Sequence, residues 1–93
     1  MARNGRLLLA LDTGSEQVAL ALYDGQVVGA FFYDAGREHA VTVLPSIQRL
    51  LEASRRRVEE IGAVAVTTGP GSFNGLRVGM SIAKALCYAL DVP

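Results

Sequence analysis

The residues best suited to chemistry by type and spacing form a glycine-rich stretch, Gly69-Pro70-Gly71-Ser72-Phe73-Asn74-Gly75, between an apolar segment and a helical one. At such a strand-to-helix turn, backbone N–H groups and the helix dipole can hold an anion. The stretch is not a Walker A loop, because no Gly-Lys-Ser/Thr follows, and it is not a dinucleotide fingerprint, because Asn74 stands at the third glycine position. As bare chemistry, it favours a tight structural turn with Ser72 or Asn74 as the helix cap.

A second chemical candidate is the tetrad Asp12-Thr13-Gly14-Ser15, which follows an apolar run. The same tetrad carries the active site of aspartic proteases, in which two aspartates share one proton and activate water. A homodimeric protease of the retroviral type has about this length, but such proteases are almost all β, whereas the second half of this sequence has helical periodicity. The protease is therefore the alternative hypothesis.

Other reactive side chains are few. One cysteine and one histidine cannot build a protein zinc site, and a single cysteine cannot form an internal disulfide. Cys87 is expected to be a buried small hydrophobe. The run Arg55-Arg56-Arg57 could contact RNA phosphates, but two acidic residues follow it closely and no aromatic residue interrupts it, which favours a helix C-terminus.

Composition limits the class of protein. The chain has 93 residues with nine basic and nine acidic side chains, so it is one small domain of zero net charge. Zero net charge argues against a free-standing nucleic-acid binder. With 51% hydrophobic and 19% charged residues, some apolar surface should face a partner or a missing part of the protein. No apolar run approaches the roughly 18 residues of a membrane span, so we expect a soluble, cytoplasmic domain with no membrane contact.

Three antiparallel strands are predicted in the first third of the chain. They are Leu7–Leu11, Val18–Tyr23 and Val27–Tyr33, each rich in apolar, β-branched or aromatic residues. Asp24-Gly25 between the second and third strands predicts a type I′ hairpin turn, with positive φ at both central residues.

Helical spacing replaces the alternation in the second half. A helix is predicted around Leu44–Leu51, and Pro45 is tolerated in its first turn if Thr42 caps it, or else kinks it. A buried parallel strand at Ala63–Thr67 and a helix at Gly75–Leu90 follow. The order βββαβα, with a strand–helix–strand crossover, predicts a single α/β domain over residues 1–93 with a mixed sheet.

The first predicted strand is apolar on both faces, since Leu7, Leu9 and Leu11 alternate with Leu8 and Ala10. Two helices can cover only one face of a four-stranded sheet. We therefore expect something else to cover the other face: a missing segment, a second subunit, or both.

The last helix is apolar around most of its circumference. Its polar side chains form one narrow stripe, and Gly75, Gly79 and Ala83 recur at intervals of four. Glycine inside a helix costs about 1 kcal/mol relative to alanine, so close packing should compensate. Two options stay open for this ridge of small residues: packing on the chain's own sheet or first helix, and contact with another subunit.

Four stretches of the chain resemble the TsaB (YeaZ) family of bacterial proteins, which is related to TsaD and Kae1. The stretch GPGSFNGLRVG is similar to the family's Gly-Pro-Gly-Ser-Phe-Thr-Gly-Leu-Arg-Ile-Gly, with Asn74 and Val78 as mild departures. LLALDTGSEQVALAL, EHAVTVLPSIQRLLEAS and IGAVAVTTGPGSF also match, so the resemblance spans almost the whole chain.

The resemblance implies the ribonuclease-H-like lobe of the actin/Hsp70/sugar-kinase fold, whose order is βββαβαβα. Family members are longer and have two lobes. The chain would then be the first lobe, with the second lobe and the last strand and helix of the first absent, which would account for an uncovered sheet face.

The resemblance also implies a function. TsaB is a non-catalytic scaffold subunit in the synthesis of the tRNA base threonylcarbamoyladenosine (t6A); TsaD holds the metal and transfers the group, and TsaE is an associated ATPase. The two helices would dock TsaD, or pair two copies when alone, and tRNA would be met only indirectly. The interface residues carried over are Leu44, Ile47, Leu51, Gly75, Gly79, Met80, Ala83 and Leu86.

At the chemical candidates, the resemblance implies a degenerate site. Asp12, Thr13, Gly14 and Ser15 correspond to the superfamily's phosphate hairpin, although a β-turn capped by Asp12 remains favoured. One lobe cannot close over a nucleotide, so we expect no cofactor and weak or no ATP binding; a sugar- or acetate-kinase fragment would instead bind ATP measurably. His39 matches the family histidine and is expected to be a cap or packing residue. No metal-binding residue is implied.

Overall fold

The computed structural model describes residues 6–36, 39–71 and 73–92. Its strands and helices are β1 (Leu7–Asp12), β2 (Gln17–Tyr23), β3 (Val27–Asp34), α1 (His39–Ala53), β4 (Ile61–Val66) and α2 (Phe73–Leu90), with one 3-10 turn at Val58–Glu60. The sheet order is β3-β2-β1-β4, in which β4 is parallel to β1 and the other pairs are antiparallel. The predicted mixed sheet in βββαβα order is confirmed.

Alternation along the strands places the core on one face of the sheet. Leu9 lies opposite Leu22, and Leu11 lies opposite Leu20, so the large side chains of β1 and β2 share a face. They are fully buried with the inward residues of α1, among them Val43 and Leu50. The interior is therefore a two-layer sandwich of sheet and helices.

The other face of the sheet has no helix over it among the described residues. It is lined by small side chains, and Phe32 at its edge is 80% exposed. A shallow groove of about 320 Å³ runs across it. The expectation that the two helices leave one face uncovered is confirmed for the described part of the chain. The residues that line this groove are Ala10, Leu11, Asp12, Ala19, Leu20, Ala21, Ala30, Phe32, Ala65, Val66 and Thr67.

The start of α1 differs from the prediction. The helix begins at His39, so Pro45 is its seventh residue and not part of the first turn. Thr42 lies inside the helix and is not its cap; its hydroxyl forms a hydrogen bond of 3.0 Å with the Tyr33 hydroxyl of β3. Because proline has no N–H, the carbonyl of Val41 lacks its usual intrahelical donor.

The β2–β3 hairpin also differs. Gly25 has φ of 76°, but Asp24 is not among the residues with positive φ, so the turn is not of type I′. Tyr23 pairs with Val27 after a register shift, which leaves a three-residue loop. Within it, the N–H of Asp24 donates to the carbonyl of Gln26 at 2.9 Å. A bulged three-residue loop accommodates the strand twist with a single left-handed residue.

The arginine run follows α1 and ties two loops together. Arg55 has φ of 57°, and the N–H of Arg56 donates to the carbonyl of Leu51, which ends the helix with a left-handed residue. The Arg56 guanidinium contacts Asp24 at 3.0 Å and Glu60 at 2.7 Å. Arg56 therefore joins the β2–β3 hairpin to the segment before β4.

Glu60 should carry an acid-dependent part of the stability. The hydrogen bond from the Arg57 N–H, followed by that from the Arg56 side chain, lowers the pKa of the Glu60 carboxyl below its usual 4.5. A carboxyl whose pKa is lowered by folding stabilises the fold above its unfolded pKa, and that contribution is lost as pH falls through the folded value. We expect Glu60→Gln to flatten the decline of the free energy of unfolding below pH 4.5, measured by urea denaturation at several pH values. Glu52→Gln on the exposed side of α1 is the control, and an equal effect from both substitutions would contradict this assignment.

Candidate functional site

The two chemical candidates meet at one edge of the sheet. Because β1 and β4 are parallel, their carboxyl ends share an edge, and the Asp12–Ser15 turn and the glycine-rich stretch follow those strands directly. The N–H of Thr67 donates to the carbonyl of Leu11 at 3.1 Å, which continues the pairing toward the loops. In open α/β sheets, ligands bind at such carboxyl edges, so this is the position of the candidate site.

Thr13 fastens the turn to the start of α2. Its side chain is 1% exposed, and its hydroxyl donates a hydrogen bond of 2.6 Å to the carbonyl of Gly75. A Cβ at Gly79 would strike the Thr13 hydroxyl and lie 3.2 Å from the Val66 side chain. Thr13 was predicted as part of a phosphate turn; the role that the structure gives it is a buried contact between two distant segments.

Two glycines let the loops approach each other. A Cβ at Gly71 would lie 2.6 Å from the carbonyl oxygen of Gly14 and 2.8 Å from its Cα, which no real Cβ tolerates. A Cβ at Gly14 would lie 3.2 Å from the Leu76 side chain. Gly14 therefore lies at a close backbone contact. Gly69 has φ of 148°, which suits glycine alone.

Asp12 caps its own turn. One carboxylate oxygen accepts the N–H of Gly14 at 3.0 Å, and the Ser15 hydroxyl donates to the carbonyl of Gln17 at 3.0 Å. This is the β-turn capped by the Asp12 side chain that the sequence analysis favoured. Asp12 itself is exposed. Of the two residues predicted to cap the last helix, Ser72 lies outside the described residues, and Asn74 is the second residue of α2 and not its cap.

The described residues contain no cluster of three or more histidine, cysteine, aspartate or glutamate side chains placed to hold a metal ion. His39 is the first residue of α1, and its side chain lies outside the described part. Cys87 is half-buried with a free thiol, so the expectation of full burial was only partly right.

The residues predicted for a subunit interface separate into inner and outer ones. The glycine ridge of α2 packs inward, on Thr13 and Val66 of the same chain, which was one of the two options left open. Leu86 is half-buried. Buried inside this chain are Ile47, Leu51, Gly75, Gly79 and Ala83.

Two predicted interface residues point outward. Leu44 on α1 and Met80 on α2 are exposed, and α1 and α2 contact each other. Tyr88, from the polar stripe of α2, is exposed as well. We call Leu44, Met80 and Tyr88 the outer helix face. In the described residues, neither helix is long and apolar enough to cross a membrane.

Comparison with known proteins identifies relatives along the whole chain. Residues 25–93 match the family model described as TsaD, tRNA N6-adenosine threonylcarbamoyltransferase. The tRNA threonylcarbamoyladenosine biosynthesis protein TsaB of Escherichia coli K12 is 38% identical over 86 residues, which are 92% of this chain and 37% of that protein. The tRNA N6-adenosine threonylcarbamoyltransferase of Geotalea uraniireducens is 37% identical over 93 residues, 100% of this chain and 26% of that enzyme.

The fold matches as well. The structure of YeaZ from Pseudomonas aeruginosa superposes with a TM-score of 0.87 at 32% identity, over 100% of this chain and 42% of that one. The architecture is thus the ribonuclease-H-like, actin-like α/β fold, and the aspartic-protease alternative finds no support. The chain spans about two fifths of the length of the TsaB relatives and the YeaZ structure that it matches.

Proposed function

Since the chain belongs to the TsaD family, and resembles within it the proteins named TsaB or YeaZ, we propose that it serves tRNA threonylcarbamoyladenosine synthesis as a non-catalytic scaffold lobe. In this proposal, the chain docks the transferase TsaD through α1 and α2. The chemistry takes place on that partner, and tRNA is met only through the complex.

The outer helix face is the observation that carries the proposal. Leu44, Met80 and Tyr88 are exposed on two helices that contact each other. Large exposed side chains on two adjacent helices suit a docking surface. The opposite side of α2 carries the ridge of small residues. Its packing on Val66 and Thr13 holds α2 against the sheet and so fixes the position of the outer helix face.

Charge substitution on this face tests the docking. We expect Met80→Glu to weaken binding of TsaD from the same organism at least about tenfold, because a charge would be placed in an apolar contact. Val58→Glu is the matched control, since Met80 is 38% exposed and Val58 37%, on a different part of the surface. Leu44→Asp and its similarly exposed control Tyr23→Asp form a second pair. Binding is measured by surface plasmon resonance with immobilised TsaD.

Unfolding must be separated from loss of docking. All four variants are expected to keep the thermal melting temperature within a few degrees, because each changes an exposed side chain. Tight binding of TsaD by both helix variants would contradict the docking face. Equal loss in helix and control variants would place the contact elsewhere.

Two further partner proposals, for TsaE and for a second copy of the chain, concern the same surface. TsaE is proposed to join through the complex and not to contact this lobe. In the absence of TsaD, two copies are proposed to pair through the outer helix face, so that TsaD and a second copy compete. The substitution Met80→Glu should therefore weaken both associations together.

No cofactor is proposed for this lobe, and ATP binding should be weak or absent. One Asp12 oxygen is taken up by the Gly14 N–H, and Gly71 presses on Gly14, which leaves the turn closed on its protein neighbours. Titration calorimetry with ATP and Mg²⁺ should give no saturable heat at about 1 mM, a concentration at which even millimolar affinity is detectable. Clear saturation would instead favour a kinase-type nucleotide lobe.

A second candidate is the corresponding first lobe of a transferase. The TsaD family model and the Geotalea uraniireducens relative, which covers the whole chain, favour it. In that case the lobe should bind TsaB and not TsaD. Immobilising each protein in turn separates the two candidates.

A further inference from the structure

The exposed edge of β3 and the neighbouring side of α1 form a groove of about 470 Å³ that the proposed docking does not use. One wall is aromatic and comes from β3; the other is supplied by α1. The lining residues are Phe31, Phe32, Tyr33, Val41, Thr42, Pro45, Ser46 and Arg49. Pockets of several hundred Å³ with a mostly apolar lining and a few polar groups are typical of ligand sites.

The backbone at this edge is available for pairing. Among the described residues, β3 is the last strand on its side of the sheet. The N–H of Ala35, just after β3, points to the β2 side and donates to the carbonyl of Glu16, the residue before β2. Because alternate residues of a strand point their backbone groups to the same side, Ala30, Phe32 and Asp34 direct theirs away from β2. Three successive outward-pointing residues can pair with one extended segment.

The helical wall adds a charge. Pro45 lies in this wall and has no N–H to donate to the Val41 carbonyl. Arg49 is exposed, and among the described residues it is the one charged side chain in the lining of the groove. Its position favours an acidic group in the bound segment.

The ends of the groove are not equivalent. Thr42 contacts Tyr33, and a Cβ at Gly29 would lie 3.1 Å from Leu50, so α1 runs antiparallel to β3. Arg49 therefore lies over the beginning of β3, whereas the exposed carboxylate of Asp34 lies at its end. An acidic side chain is attracted at the first end and repelled at the second.

From these features we propose that the groove binds an extended segment of a partner protein that adds a strand to β3 and places an acidic side chain at Arg49. Main-chain hydrogen bonds to Ala30, Phe32 and Asp34 supply the affinity. The contacts of alternate apolar side chains with Phe31 and Pro45, together with the charge at Arg49, supply the selectivity.

A peptide pair tests the charge. The probe is the fluorescein-labelled peptide Val-Thr-Val-Thr-Glu-Thr, in which the two valines and the glutamate share one face of the strand. Its partner has lysine in place of glutamate. We expect saturable anisotropy below about 1 mM. The glutamate peptide should bind about fivefold more tightly, because one exposed ion pair replaces one repulsion. Arg49→Glu should reverse the preference, whereas Lys84→Glu, the same charge change on α2, should leave it unchanged.

Two further measurements test the backbone pairing. A glutamate peptide with its central amides N-methylated should lose binding, because it cannot donate to the strand edge. In amide hydrogen exchange, Ala30 and Phe32 should exchange quickly in the free protein and slowly with the peptide, whereas Phe31 and Tyr33 should be protected in both.

Several outcomes would overturn the proposal. They are an absence of saturation with either peptide, a glutamate preference that survives Arg49→Glu, and equal binding of the N-methylated peptide. Self-association that competes with the peptide and is lost in Arg49→Glu would assign the groove to a second copy of this chain instead.

Discussion

Gly79→Leu is expected to lower the free energy of unfolding by about 3 kcal/mol, as overpacking of a closed interior does. Position 79 faces inward on α2, where even a Cβ would strike the Thr13 hydroxyl and lie 3.2 Å from the Val66 side chain. A leucine must push α2 away from the sheet edge or distort the Asp12–Ser15 turn. The gain in helix propensity, about 1 kcal/mol, is too small to offset this.

Urea denaturation followed by circular dichroism measures this loss. Ala85→Leu is the control, because Ala85 is exposed on the same helix and should tolerate leucine with little change. Equal stability of the two variants would show that α2 does not press on Thr13. The loss of stability expected for Gly79→Leu also makes Gly79 unsuitable for testing partner binding, because its substitution acts on the interior first.

Thr13→Val should cost about 1 kcal/mol, although the two side chains have nearly the same shape. The hydroxyl donates to the Gly75 carbonyl at 2.6 Å inside the protein, and valine removes this hydrogen bond. A typical intramolecular hydrogen bond contributes about 0.5–1.5 kcal/mol to stability. Thr13→Ser, which keeps the hydroxyl, should recover more than half of the loss.

Thr68→Val is the matched control at an exposed threonine of the neighbouring loop, where no comparable loss is expected. A wild-type melting curve for Thr13→Val would refute the importance of this hydrogen bond. A double-mutant cycle adds an independent check: Gly79→Ala should cost less in a Thr13→Ala background, because the obstructing hydroxyl is gone.

The periodicity of apolar residues predicts the strands and helices of this fold because each buries one face. The alternation of Leu7, Leu9 and Leu11 and the helical spacing of Ile47, Leu50 and Leu51 both correspond to buried positions. Errors occur where local rules compete with tertiary contacts. Pro45 suggested a helix start, but α1 begins six residues earlier.

The candidate site is less predictable for a physical reason. Thr13 and Gly75 are 62 positions apart, and no periodicity reports a contact over that distance. The intervals of Gly75, Gly79 and Ala83 correctly indicated close packing, but a stripe of small residues does not say which surface lies against it. The separation of outward Leu44 and Met80 from inward Ile47 and Leu51 needed the three-dimensional structure.

The contacts of Thr13 with Gly75 and Gly79 affect how α2 can bind a partner protein. A helix fixed at Gly75 and Gly79 cannot roll or slide to adapt its side chains. Association then resembles rigid-body fitting, and little conformational entropy is lost on contact. Differences in affinity between partners should consequently appear in how long the complex lasts and not in how fast it forms.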